Sequence, residues 1–178
     1  MPHTTPPGPA ARGIDHVGVT VPDVEAATDF FRAALDARVL YDTLPREQGP
    51  KGGEESERRL GVPPGTRQVA VRMLALPHGP GLELFEYEGP RRRDAALPCD
   101  LGWQHLAVHV DDLEAVLARV VAAGGRALDA PHPLPGPEAG PRNRFVYTRT
   151  PWGATLELLS HPDPQPYEQE TDDRRWTP

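Results

Sequence analysis

Four side chains carry the chemistry that this chain can be read for: His16, Glu83, His105 and Glu157. Two imidazoles and two carboxylates make a donor set suited to one divalent ion such as Zn, Ni, Co, Mn or Fe. An octahedral ion held by those four would keep two positions for water or substrate. A lone strand histidine is more often a half-buried residue than a ligand, so the reading rests on recurrence. GIDHVGVTVPDVEAA (13–27) aligns with GWQHLAVHVDDLEAV (102–116) at one constant offset, and LPHGPGLEL (76–84) aligns with TPWGATLEL (150–158) at another. Both His and both Glu fall at equivalent positions of a module that occurs twice, among residues that have otherwise drifted.

Stepping outward along the chain, each copy reads as strand, helix, then strands. Val17, Val19 and Val21 alternate with His16, Gly18 and Thr20, while Leu106, Val108 and Val110 alternate with His105, Ala107 and His109. Each first strand therefore has one apolar face and one face that carries a histidine. Asp23 and Asp112 are N-caps for the helices that follow, and Gly124-Gly125 ends the second. The runs 68–76 and 144–150 turn through Pro-x-Gly into 82–87 and 154–160 as hairpins. The weakest strands are 38–41 and 126–129. The fold class expected is α+β, with tandem βαβββ modules whose two sheets lie side by side as an open, partly closed eight-stranded barrel-like sheet around the metal site. If the hairpin register allows, Glu83 and Glu157 share the concave face with the histidines. Glu86 competes with Glu83 but falls on the opposite face of its strand and has no counterpart in register with Glu157.

Residues 1–12 form a proline-rich, flexible N-terminal tail, 13–88 the first module, 89–101 a linker, 102–160 the second module and 161–178 a polar C-terminal tail. The first module carries a polar excursion, 45–65, with one short helix expected around Glu54 to Leu60. The excursion and the C-terminal tail are expected to border the pocket mouth and to be mobile. The 178 residues fit one compact domain or two very small ones. A net charge of -7 gives no global positive field for nucleic acid. The single cysteine, Cys99, forms no internal disulfide, no apolar stretch reads as a leader or a bilayer span, and a cytoplasmic location is the default. His109, two same-face positions beyond His105, is a minor candidate as a proton shuttle or a donor behind the ligands; its first-module counterpart, Thr20, argues against a ligand. Arg72, Arg142, Arg144 and Arg149 include clamps for an anionic group, Trp152 shapes a pocket rim or caps its hairpin, and Arg91-Arg92-Arg93 reads as a solvated linker run. His3, His78, His132 and His161 need no functional account.

The sequence DHVGVTVPDVEAATDFF, then LELFEY, QHLAVHVDDLEAV and YTRTPWGATLELL, resembles the vicinal oxygen chelate superfamily over about 13–160. That group contains glyoxalases, methylmalonyl-CoA epimerases and extradiol dioxygenases built from tandem βαβββ modules. The resemblance implies ligands from the first and last strand of each module, which places them on His16, Glu83, His105 and Glu157. One departure is the hairpin turn, Thr150-Pro151-Trp152-Gly153 where Asp-Pro-x-Gly is common. The activity implied is that of a metal-dependent lyase, isomerase or epimerase. Its metal would chelate two adjacent oxygens of a small molecule, and Glu157 or Glu83 would move the proton between them. A non-haem iron dioxygenase is the alternative within the fold, although a fourth, carboxylate ligand would crowd oxygen activation. A metal-free antibiotic-binding protein is the other, demoted by the intact His and Glu set. Whether the modules pair within one chain or between two chains of a homodimer stays open at this level.

Overall fold

The structure is a computed structural model that describes residues 11, 13–90 and 93–177. Segment 1–10, residue 12, Arg91, Arg92 and residue 178 lie outside the described residues, and with them the reading of the proline-rich start and most of the linker arginine run. The first module runs β1 (His16–Val21), α1 (Val24–Leu35), β2 (Arg38–Leu44), α2 (Glu54–Leu60), β3 (Arg67–Ala75) and β4 (Gly81–Glu88). The second runs β5 (Leu106–His109), α3 (Leu113–Ala122), β6 (Arg126–Ala127), β7 (His132–Pro133), β8 (Arg144–Arg149) and β9 (Thr155–Ser160). Sheet one has the order β1-β4-β3-β2; sheet two has the order β5-β9-β8-β6 with β7 added on β8. Each sheet joins its first and last strands in parallel.

Both long helices start where the sequence places their caps. The Asp23 carboxylate accepts from Ala26 N and that of Asp112 from Ala115 N, each at 2.9 Å. Their apolar stripes, Val24, Ala27, Phe30, Phe31 and Ala34 on α1 and Leu113 and Val120 on α3, are buried. Gly124, at φ 94°, supplies the left-handed turn that releases the chain after α3.

The sheets do not close into the eight-stranded barrel-like arrangement expected from the sequence. They remain separate because their apolar faces are used for something else. α1 packs against α3, and Leu82 and Leu84 of sheet one, the two helices, and Leu156 and Leu158 of sheet two belong to one continuous core. Trp152, in the β8–β9 turn, packs edge-on against both Phe30 and Phe31 of α1, with ring centroids 5.4 and 5.6 Å away. Arg119 of α3 donates to the Ala33 carbonyl at 2.9 Å and pairs with Asp36, the α1 C-cap, at 2.7 Å. The outer edges of β1 and β5 carry no partner strand among the described residues.

The excursion is folded onto the body. It contains α2 where the sequence places it, a short 3-10 turn at Arg46–Gln48, and a bridge from Lys51 to Gln68. Arg46 pairs with Glu86, whose carboxylate also accepts from Val24 N at 2.9 Å. Glu86 thus holds the start of α1 from the core side of β4. After β9 the chain forms a capped 3-10 turn, Pro166–Gln169, and Arg175 pairs with Glu138.

Candidate active site

The alternation in β4 and β9 decides which way the carboxylates point. Leu82 and Leu84 are fully buried in the core, so Glu83 projects from the opposite face of its sheet. Glu157, between buried Leu156 and Leu158, does the same. The parallel register sets Gly18 beside Glu83 and Ala107 beside Glu157. A small residue therefore lies next to each carboxylate, and the Phe85 ring leans over Gly18. His16 Nε2 stands 3.3 Å from a Glu83 oxygen, and His105 Nε2 stands 3.1 Å from a Glu157 oxygen. The carboxylates are only 18% and 14% exposed.

The far nitrogen of each ring is also occupied. His16 Nδ1 bonds the Asp15 carboxylate at 2.7 Å and His105 Nδ1 bonds the Gln104 side-chain oxygen at 2.9 Å. Donation from Nδ1 turns the Nε2 lone pair toward the glutamate in both modules, the tautomer a metal ligand requires. A lone pair facing a carboxylate oxygen at such distances repels it unless a proton or a metal ion stands between them. Two donors at right angles on an ion with bonds of about 2.1 Å stand about 3 Å apart, so each pair has the chemistry and the spacing of adjacent ligands. The hydrogen bond to Asp15 also raises the His16 pKa above the ordinary histidine value, with the Glu83 charge acting in the same direction.

The structure brings the four predicted residues together as two pairs. Among the described residues no group of three or more His, Cys, Asp or Glu side chains is placed to hold one metal ion. Each pair sits on the sheet face turned away from the shared core. Around the second pair, Tyr147 lies edge-on to His105 at 5.3 Å and in register beside Glu157. Burial raises the Tyr147 pKa, and the Glu157 charge adds to the effect. Tyr147 was not singled out from the sequence; its position on β8, in register with Glu157, follows only from the hairpin pairing. On the first sheet the same open face carries Phe85 and Tyr87, stacked at 5.9 Å.

The arginines considered as clamps are engaged elsewhere. Arg72 is held by Asp42 at 2.6 Å and Glu25 at 2.7 Å, and those bonds raise its pKa further. Arg142 bonds Asp163, Arg144 pairs with Glu114, and Arg149 donates to the Gly153 carbonyl at 2.6 Å. Trp152 belongs to the packing between the modules.

Comparison with known proteins places this geometry. A family model described as the glyoxalase/bleomycin resistance protein/dioxygenase superfamily matches residues 13–158. A 2-epi-5-epi-valiolone epimerase from Actinomyces sp is 39% identical over 173 residues, covering 96% of this chain and 91% of the relative. Among solved structures, a glyoxalase family protein from Bacillus cereus superposes with a TM-score of 0.66 at 18% identity, covering 85% of this chain and 95% of that one. A mutant of the fosfomycin resistance protein FosX from Listeria monocytogenes, complexed with Mn(II) and 1S,2S-dihydroxypropylphosphonic acid, gives 0.58 at 15% identity over 91% of this chain and 100% of that one. With its repeated modules, its paired His and Glu and a match across nearly all of both copies, the chain belongs to the glyoxalase/bleomycin resistance protein/dioxygenase superfamily and is one of its enzymes.

Proposed function

We propose that the chain is a divalent-metal-dependent epimerase acting on an α-hydroxyketone, and that it works as a homodimer. Each of its two sites would join the His16–Glu83 pair of one copy to the His105–Glu157 pair of the other. The observation that carries the reading is the presence of two equivalent half-sites on faces turned away from a core they share. Two further features support a second copy as the missing half. Among the described residues, the outer edges of β1 and β5 are unpaired. The equivalent residues Ile14 and Trp103, each two positions before the histidine, are 73% and 102% exposed; large apolar side chains so placed gain by being covered.

The substrate proposed is 2-epi-5-epi-valiolone, on the strength of the 39% identical relative. It is a cyclic ketone whose neighbouring carbon bears a hydroxyl, so it offers two adjacent oxygens. A bound divalent ion supplies Lewis-acid stabilisation of the negative charge that develops when the C–H between those oxygens is deprotonated. Glu157 takes that proton. Tyr147 stands beside the carboxylate across the β8–β9 pairing, and the sheet beneath screens it from water. Return of a proton to the other face inverts the centre. Glu83, brought by the second copy, stands at the equivalent position across the two-fold axis.

Subunit mixing tests the arrangement. His16→Ala and His105→Ala chains are each expected to be inactive on 2-epi-5-epi-valiolone. Mixed one to one and allowed to exchange, they form heterodimers in which one site collects both defects and the other collects none. Random pairing then restores about a quarter of the wild-type activity. No recovery from demonstrably exchanged subunits would eliminate the shared site.

A further inference from the structure

The residue before each ligand histidine occupies an equivalent place in the repeat, yet its chemistry changes from Asp15 in the first module to Gln104 in the second. Both accept a hydrogen bond from the ring's Nδ1. What holds the acceptor differs. The Asp15 side chain is 93% exposed and works on His16 chiefly through its own bond and charge. Gln104 is neutral and is held from behind, its amide nitrogen donating to the Pro98 carbonyl at 2.8 Å. Pro98 stands second in a linker turn closed by a bond from Asp100 N to the Leu97 carbonyl at 2.9 Å. The Asp100 carboxylate accepts from Leu97 N at 2.7 Å and locks the same turn from its other side. Proline suits that position because its ring fixes φ, so the carbonyl that meets Gln104 is a rigid point.

A carbonyl only accepts, so Pro98 decides which end of the Gln104 amide faces it. The amide oxygen is left toward His105, and because that oxygen also only accepts, Nδ1 must carry the ring proton. Reversing the amide would set its oxygen against the Pro98 oxygen. The chain of bonds from His105 through Gln104 to Pro98 therefore has one sense, and it leaves the Nε2 lone pair 3.1 Å from Glu157. The opposite tautomer has a ready acceptor of its own: an Nε2–H would donate to that same Glu157 oxygen, and the nitrogen that faces the ion would be closed by a proton. We propose that Gln104 is a positioning residue for the metal centre, selecting the Nδ1–H tautomer of His105 and keeping Nε2 open. This deepens the reading of the chain as a metal-dependent epimerase and rests on it. The linker is then more than a tether between modules, since its turn sets the sense of the bonds behind one ligand.

The test reads the tautomer directly. In metal-free protein, at a pH where the rings are neutral, NMR of the ring nitrogens should place the His105 proton on Nδ1. Gln104→Met, which keeps the length of the side chain and removes the amide, should move that proton to Nε2 while His16 keeps its Nδ1–H form. Titration with Co(II) should show the affinity of the Gln104→Met protein falling roughly 10- to 100-fold. Gln104→Glu still accepts from Nδ1 but has nothing to donate to Pro98; it places in the second module the kind of group that Asp15 supplies in the first. It should keep the Nδ1–H tautomer and recover most of the Co(II) affinity. An unmoved His105 proton or an unchanged Co(II) affinity in folded Gln104→Met protein overturns the positioning role and leaves the epimerase reading standing. A wild-type protein that binds no Co(II) overturns the metal-dependent reading itself, and the positioning role with it.

Discussion

Glu157 and Glu83 have the same backbone setting but different company. Glu157 has Tyr147 in register beside it, whereas the corresponding face of the first sheet carries the stacked Phe85 and Tyr87. Glu157→Gln keeps an oxygen donor and loses the proton acceptor, so turnover should fall roughly 100- to 10,000-fold with the bound metal largely retained. His16→Ala and His105→Ala should lose metal and turnover together, as elemental analysis of the purified variants will show. That His16 shares a face with Glu83, and His105 with Glu157, was legible because the repeat supplies a second witness for each. Glu86 could be set aside from its face alone, but its work at the start of α1 could not be foreseen. That role depends on Arg46, which arrives through a long excursion. The contact of His161 with His109 is not legible in the sequence for a related reason: His161 lies one residue beyond β9, and only the parallel pairing with β5 brings the two rings together.

Among the elements, the caps, the α1 and α3 stripes and the short helix Glu54–Leu60 could be read directly, because each depends on local chemistry. The second strand of each module could not be read as well. β2 extends to Leu44, while β6 shrinks to two residues and β7 appears at His132–Pro133, where composition alone suggests a loop. Such strands are defined by their partner's hydrogen bonds. The joint between α1 and α3 has a pH signature. The hydrogen bond from Arg119 lowers the Asp36 pKa below its ordinary 3.8. A carboxylate with a depressed folded-state pKa contributes stability above its unfolded value, and loses it as the pH falls through the folded one. The pair is largely exposed, so Asp36→Asn should cost no more than about 1 kcal/mol at pH 7. Thermal melts of variant and wild type should converge below pH 3.8, where the carboxyl takes up its proton.

For the whole molecule, strand alternation told which face of each sheet is apolar, but not whether that face meets its own helix alone or a core common to both modules. That choice turns on contacts between residues more than 80 positions apart, such as Arg119 with Asp36. The outcome bears on how a duplicated chain comes apart. Trp152 of the second copy sits against Phe30 and Phe31 of the first, so neither half keeps its own interior when the other opens. Two modules of common pattern suggest two independent melting units. The wedge instead makes them a single cooperative one, and calorimetric and van't Hoff enthalpies of the separated monomer should agree. Trp152→Ala should lower that one transition by about 3 kcal/mol rather than split it in two. A gene half encoding either module alone would yield a chain without a finished interior, so the duplication, once fused in this way, is one that cannot be undone by simple excision.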